Sequence, residues 1–182
     1  MKKPLLLVLV SLFLMTGCAD EPGDELPPAS ESSYSVKLKA DLTSLSSTET
    51  SEPLTVELAS KEDENVKYSF EIGNPAKLNT KSSVSTQIQL NAGAYIKSVS
   101  TYKVEKIIVD YFSKQGTNFQ VFNNVEKSGE ALSPHKSSIA PTDPEDYGAV
   151  LEYEIDSNGW NLYNHTEYNK PTFYYVEVIF KK

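Results

Sequence analysis

The chain has 182 residues and a formal charge of −8, with 25 acidic side chains against 17 basic ones, every basic one a lysine. An acidic chain is repelled by phosphate backbones, which argues against a nucleic-acid partner. The lack of arginine removes the planar fork that captures carboxylate or phosphate in bidentate fashion. The single cysteine, Cys18, excludes a disulfide within the chain, a Cys nucleophile in the body and a Cys-rich zinc site.

Met1-Lys2-Lys3 is a short basic start, and Leu5 to Met15 is an apolar run too short to span a bilayer, which takes about 20 residues. Thr16-Gly17-Cys18 follows, and then the chain turns acidic with Asp20, Glu21, Asp24 and Glu25. This is the order of a secretory signal peptide over residues 1–17. A cysteine directly after the small pair resembles the lipobox of bacterial lipoproteins. The resemblance implies that Cys18 is acylated (palmitate among its chains) and becomes the mature N-terminus. The lipid would then be the membrane anchor, with several acyl chains giving stable attachment. Residues 18–33 read as the lipidated Cys and a disordered tether rich in acidic residues, proline and serine. The acidic residues after Cys18 resemble the export signals of surface-exposed lipoproteins in gut-type anaerobic bacteria. They imply an outer-membrane, cell-surface location in the envelope.

From Tyr34 the period is two. Tyr34 to Leu42, Leu54 to Leu58, Val66 to Ile72 and Val84 to Leu90 alternate apolar and polar residues, and Ala94 to Ser98 is a short further candidate. Val104 to Phe112 is denser, with Ile107, Val109 and Tyr111 on one face and Val104, Ile108 and Phe112 on the other. That pattern marks a central strand covered on both sides. Thr117 to Phe122, Gly148 to Ile155 and Trp160 to Tyr163 follow. Thr172 to Phe180 closes the domain, with Tyr174, Val176, Val178 and Phe180 facing one way and Phe173, Tyr175 and Ile179 the other. No helical period of useful length appears after the signal peptide. About ten short strands predict an all-β fold, a single antiparallel β-sandwich over residues 34–182. The longest irregular stretch is Glu126 to Tyr147, and loops of that length often serve a function.

The segments AYIKSVSTYKVEKIIVDYF, GTNFQVF, GWNLYN and KPTFYYVEVIF resemble a jelly-roll module of surface lipoproteins in such bacteria, over roughly residues 94–180. The resemblance implies a jelly-roll sandwich. Members mostly lack an assigned activity, so it carries over no catalytic residue.

Hydrolase and nucleotide-binding motifs are absent: no G-x-S-x-G, no H-E-x-x-H and no P-loop. His135 and His165, the only histidines, have no metal-ligand spacing, and Asn164-His165-Thr166 matches an N-glycosylation sequon by chance. Asp143, Glu145 and Asp146, in Asp-Pro-Glu-Asp, form the candidate site for a structural Ca²⁺, although the Asp-x-Asp-x-Asn-Gly order is absent and a proline-punctuated solvated loop is the simpler reading. No other cofactor is expected. Asp110 and Glu177 stand out as carboxylates in otherwise apolar strands, and a paired-carboxylate glycan-active site is one reading of them. The polar face of a half-exposed sheet is the simpler one.

The aromatic residues are more suggestive. Tyr147, Trp160, Tyr163, Tyr168 and Phe173 cluster near the last two connections, interleaved with Asn158, Asn161, Asn164 and Asn169. Aromatic plates with amide partners suit the apolar faces and hydroxyl edges of sugars. They also suit a core with Asn-rich turns. Strand alternation assigns Trp160 and Leu162 to the core and Tyr163, with Asn161, to the opposite face. The expected binding set is Tyr163, Tyr168, Phe173, Asn161 and Tyr147. Three functions follow in order: a non-catalytic, lipid-anchored glycan-binding or adhesive module; an accessory subunit docking on a surface protein; and a small glycan-active enzyme.

Overall fold

The computed structural model describes residues 32–73, 75–80, 86–112, 118–139 and 148–182. These residues form twelve strands and one 3₁₀ turn, with no α-helix among them. The strands are β1 (Ser33–Lys39), β2 (Leu54–Ala59), β3 (Lys67–Ile72), β4 (Ala76–Asn79), β5 (Gln87–Leu90) and β6 (Tyr95–Ser98). They continue with β7 (Lys103–Phe112), β8 (Gln120–Phe122), β9 (Lys136–Ile139), β10 (Gly148–Ser157), β11 (Asn161–Tyr163) and β12 (Thr172–Lys181). The 3₁₀ turn, Ala40–Leu42, ends β1. Two strands exceed the expected ten. β4 is short and pairs with β5, and β9 lies inside the stretch predicted to be irregular, where it pairs with β10.

The strands build two antiparallel sheets packed face to face. One has seven strands, ordered β4-β5-β12-β7-β10-β9, with β1 also on β12. β7 runs along one side of β12. Its other side is shared by β5, opposite Thr172 and Phe173, and β1, opposite Tyr175 to Lys181. The second sheet is ordered β2-β3-β6-β11-β8. From β5 to β8, and again from β10 to β12, the chain changes sheet at every step, which is the wound course of a jelly roll.

The core lies between the sheets, as the period-two pattern requires. Val36, Leu38, Ile107, Val109, Val176 and Val178 face it from the larger sheet, and Tyr68, Phe70, Ile96, Trp160 and Leu162 from the smaller. Trp160 and Leu162 are therefore core residues. Trp160 stands edge-on to Phe70 and donates through Nε1 to the Tyr68 hydroxyl (3.0 Å), which donates in turn to Ser98 Oγ (2.8 Å). Burial pushes the Tyr68 phenol up to about 12, so it remains a donor.

β7 is central, flanked by β10 and β12. Its faces differ from simple alternation in one respect. Val104 lies in the core together with Ile107, because the register slips past Glu105 on both neighbouring strands. A second slip, on β12, reverses Phe173. It pairs with Tyr111 while Tyr175 pairs with Asp110, leaving Tyr174 as an extra residue. Phe173 consequently turns inward, fully buried, with its ring 5.2 Å from that of Phe119. This removes Phe173 from any exposed binding surface.

Candidate functional site

The smaller sheet presents an outer face whose composition follows directly from strand parity. Ile72, Ile96 and Leu162 point inward and are fully buried. Their neighbours Glu71, Tyr95, Lys97 and Tyr163 therefore stand on the outside, half-buried. Register brings them together. Tyr95 of β6 lies directly opposite Tyr163 of β11, and Tyr163 opposite Gln120 of β8. Glu71 of β3 faces Lys97, which faces Asn161. Directly opposed side chains on one face of an antiparallel pair have Cβ atoms about 5 Å apart, so the two tyrosines are immediate neighbours.

Tyr95 is held in a single pose. Its hydroxyl donates to Glu71 Oε1 (2.6 Å), and its ring rests on Gly73, where any β-carbon would collide with it. Lys97 closes the group, with Nζ 2.9 Å from Glu71 Oε1 and 5.0 Å from the Tyr95 ring centroid. The Tyr95 hydrogen bond and the Lys97 ammonium hold the Glu71 carboxyl below its ordinary range. Burial, then the Glu71 carboxylate, push the Tyr95 phenol up to about 12. The cluster thus carries one carboxylate, one ammonium and one neutral phenol near pH 7.

The segment after β8 borders the face on its other side. Asn124 accepts from Ser128 N (2.9 Å) and donates to Ser128 O (2.8 Å), closing a turn in which Lys127 takes the left-handed conformation, φ +58. That turn sets the Lys127 ammonium 3.9 Å from the Tyr163 ring centroid, a cation–π contact over one face of the plate. Asn161 is buried under this segment and donates to Val125 O (2.9 Å). It serves to pin the loop, so its amide is withdrawn from the surface on which the sequence placed it.

Of the other expected residues, Tyr168 is 92% exposed on the connection from β11 to β12, with no ring contact to Tyr163. Tyr147, Asp143, Glu145 and Asp146 lie outside the described residues, as do Cys18 and the signal peptide. His135 and His165 are exposed, and no group of three His, Cys, Asp or Glu able to hold a metal occurs among the described residues. Asn164 is fully buried and donates to Leu90 O and Asn169 O, so the folded domain offers no glycosylation acceptor at the sequon. Glu177 is paired with Lys37 at 2.9 Å. Sequence reasoning missed Tyr95, Glu71, Lys97 and Gly73. The only signal was the alternation of Tyr95-Ile96-Lys97, which shows a common face but not its partner across the sheet.

The chain matches no protein-family model, no curated protein and no solved structure. No helix among the described residues is long and apolar enough to cross a membrane. The fold class, a two-sheet antiparallel β-sandwich, stands on the strand order alone.

Proposed function

We propose that this chain is a lipid-anchored cell-envelope protein whose sandwich binds glycans without catalysis. The observation that carries the reading is the register pairing of Tyr95 with Tyr163 on an outer sheet face. Two adjacent, half-buried aromatic plates offer the apolar C–H faces of pyranose rings a rigid surface. Glu71 and Lys97 beside them supply an acceptor and donors for hydroxyls. The lipid anchor is supported by the order of basic start, apolar run, small pair and Cys18.

A glycan array probed with wild type, Tyr95→Ala and Tyr163→Ala tests the binding reading. Wild type should bind at least one glycan class, and each variant should lose most of that signal while keeping its fold. Equal binding by all three removes this face from the site. Absence of binding by any of them favours docking on a surface protein instead. Membrane fractionation of a Cys18→Ser protein tests the anchor, which is refuted if the exported variant still partitions with membranes.

A further inference from the structure

Charge separates the two outer faces of the sandwich. On the larger sheet the bulge in β12 turns Phe173 inward, and Tyr174 and Tyr175, though consecutive, both line a hollow of about 500 Å³. Lys37, Lys39, Asp41 and Asp110 line it with them, so both signs are present and neither prevails. On the Tyr95–Tyr163 face the charges do not cancel. Lys97 is matched by Glu71 at 2.9 Å. Lys127 makes no ion pair among the described residues, and its ammonium lies instead over the Tyr163 ring, 3.9 Å from the centroid. Glu126 and Glu130, the acidic residues of the same segment, are exposed and do not pair with it.

The backbone holds this lysine in place. Among the described residues Lys127 is the single non-glycine residue in the left-handed region, at φ +58. Glycine, asparagine or aspartate is the usual occupant of that conformation. Asn124 closes the turn through Ser128, Asn161 anchors it through Val125 O, and the Val125 side chain packs over Gly159. A conformation that favours glycine is thus filled by a long cationic side chain that reaches the proposed binding plate, which points to a use for the ammonium.

The chemistry of that use follows from the charges. A cationic sugar on Tyr163 would be repelled by Lys97 and Lys127. A neutral sugar would gain only a hydrogen bond from the ammonium. A sugar with one carboxylate on its ring gains an ion pair as well, and the four-carbon lysine stem lets the ammonium follow the carboxylate at the edge of the stacked ring. A dense polyanion would meet the repulsion of a chain whose formal charge is −8. We infer that the Tyr95–Tyr163 face selects acidic sugars, a uronate in an otherwise neutral glycan, with Lys127 pairing its carboxylate. The inference rests on the glycan reading of this face and adds the substrate class.

Titration calorimetry on the full-length protein in a zwitterionic detergent tests it. The probes are matched disaccharides ending in D-glucuronate or D-glucose, and in D-galacturonate or D-galactose, so that only the carboxylate distinguishes the members of a pair. At low ionic strength at least one uronate should bind about three- to fivefold more tightly than its neutral partner, the scale of one exposed ion pair. Added salt should shrink the preference. Lys127→Gly should abolish it with the fold intact, since glycine adopts the left-handed turn freely. Lys127→Glu should reverse it. The inference is overturned if the neutral partners bind as tightly or if Lys127→Gly keeps the preference. It is also overturned if Lys127→Gly raises the binding of both members alike, which would make Lys127 only a cover over the plate. Equal binding of both members that is lost in Tyr163→Ala sinks the inference and leaves the glycan site standing. A uronate preference that survives both Tyr95→Ala and Tyr163→Ala sinks both readings. Binding of none of the four probes overturns the inference, and the glycan array then decides the fate of the face by itself.

Discussion

The two outer faces of this sandwich show what regular and broken alternation each produce. On the smaller sheet, β3, β6 and β11 keep strict parity, so Glu71, Tyr95, Lys97 and Tyr163 share one open surface. On the larger sheet β12 carries one residue too many, and the result is a hollow with a buried carboxylate at its wall. On the first surface the Glu71–Lys97 ion pair is half-buried beside the Tyr95 ring. The second encloses Asp110 almost completely, beside the bulge in β12. A flat face needs only alternation and register. A concave one needs an irregularity that the neighbouring strands tolerate.

Both faces rest on the same core, and the largest effect is expected there. Trp160→Ala should cost about 3–5 kcal/mol of stability, read by chemical denaturation. It removes the largest fully buried side chain and leaves the Tyr68 hydroxyl without its indole donor. A loss below about 1 kcal/mol would mean that Trp160 is not packed as described.

The open face is most sharply tested at Gly73. A β-carbon there meets the Tyr95 ring, so Gly73→Ala should cost about 1–3 kcal/mol through overpacking. It should also bring the Tyr95 phenol back down toward its ordinary value as the Glu71 contact is lost, followed by ultraviolet titration. An unchanged Tyr95 titration would show that the ring has another seat.

Acid stability links the two sheets. Glu62 accepts from Ser35 N and Oγ on β1 and from Ser60 Oγ after β2, so one carboxylate ties both layers. Burial pushes its carboxyl up, but these hydrogen bonds outweigh that and hold it at about 2, against 4.5 when free. A lowered folded pKa contributes stability that is present above 4.5 and lost as pH falls toward 2. Glu71, also lowered, adds in the same direction. Glu62→Gln should therefore flatten the decline in melting temperature between pH 4.5 and 2 and reduce stability at pH 7. An identical acid profile would remove Glu62 as the link.

The smallest effect is expected at Lys127. Lys127→Ala uncovers one face of Tyr163 and should cost about 0.5–1 kcal/mol, the range of an exposed cation–π contact. Its effect on glycan binding sharpens the comparison. If Lys127 shields the plate, binding by the open face rises.

Legibility varied from residue to residue for physical reasons. The inward placement of Trp160 and Leu162 and the outward placement of Tyr163 were readable, because the three adjoin in one regular strand. Asn161 has the outward parity expected of it, yet a turn from elsewhere in the chain covers it. Phe173 was assigned to the wrong face because a bulge leaves no mark in hydropathy. Tyr-Tyr after Phe reads as unbroken alternation whichever residue is the extra one. Asp110 was noticed as an oddity in an apolar strand, but its depth and its neighbours depend on β1 and β12.

The sequence by itself determined the fold class, the bulk of the strands and the residues of the core, because alternation is a local property and burial of one face acts on each strand separately. It also determined the order of signals around Cys18, on which the proposed anchor rests. Only the tertiary structure decided that Tyr95 meets Tyr163, that Tyr174 and Tyr175 share a face, and that Asp110 lies at the wall of a cavity. Those facts depend on register between strands dozens of residues apart, and register is set by packing of the whole sheet.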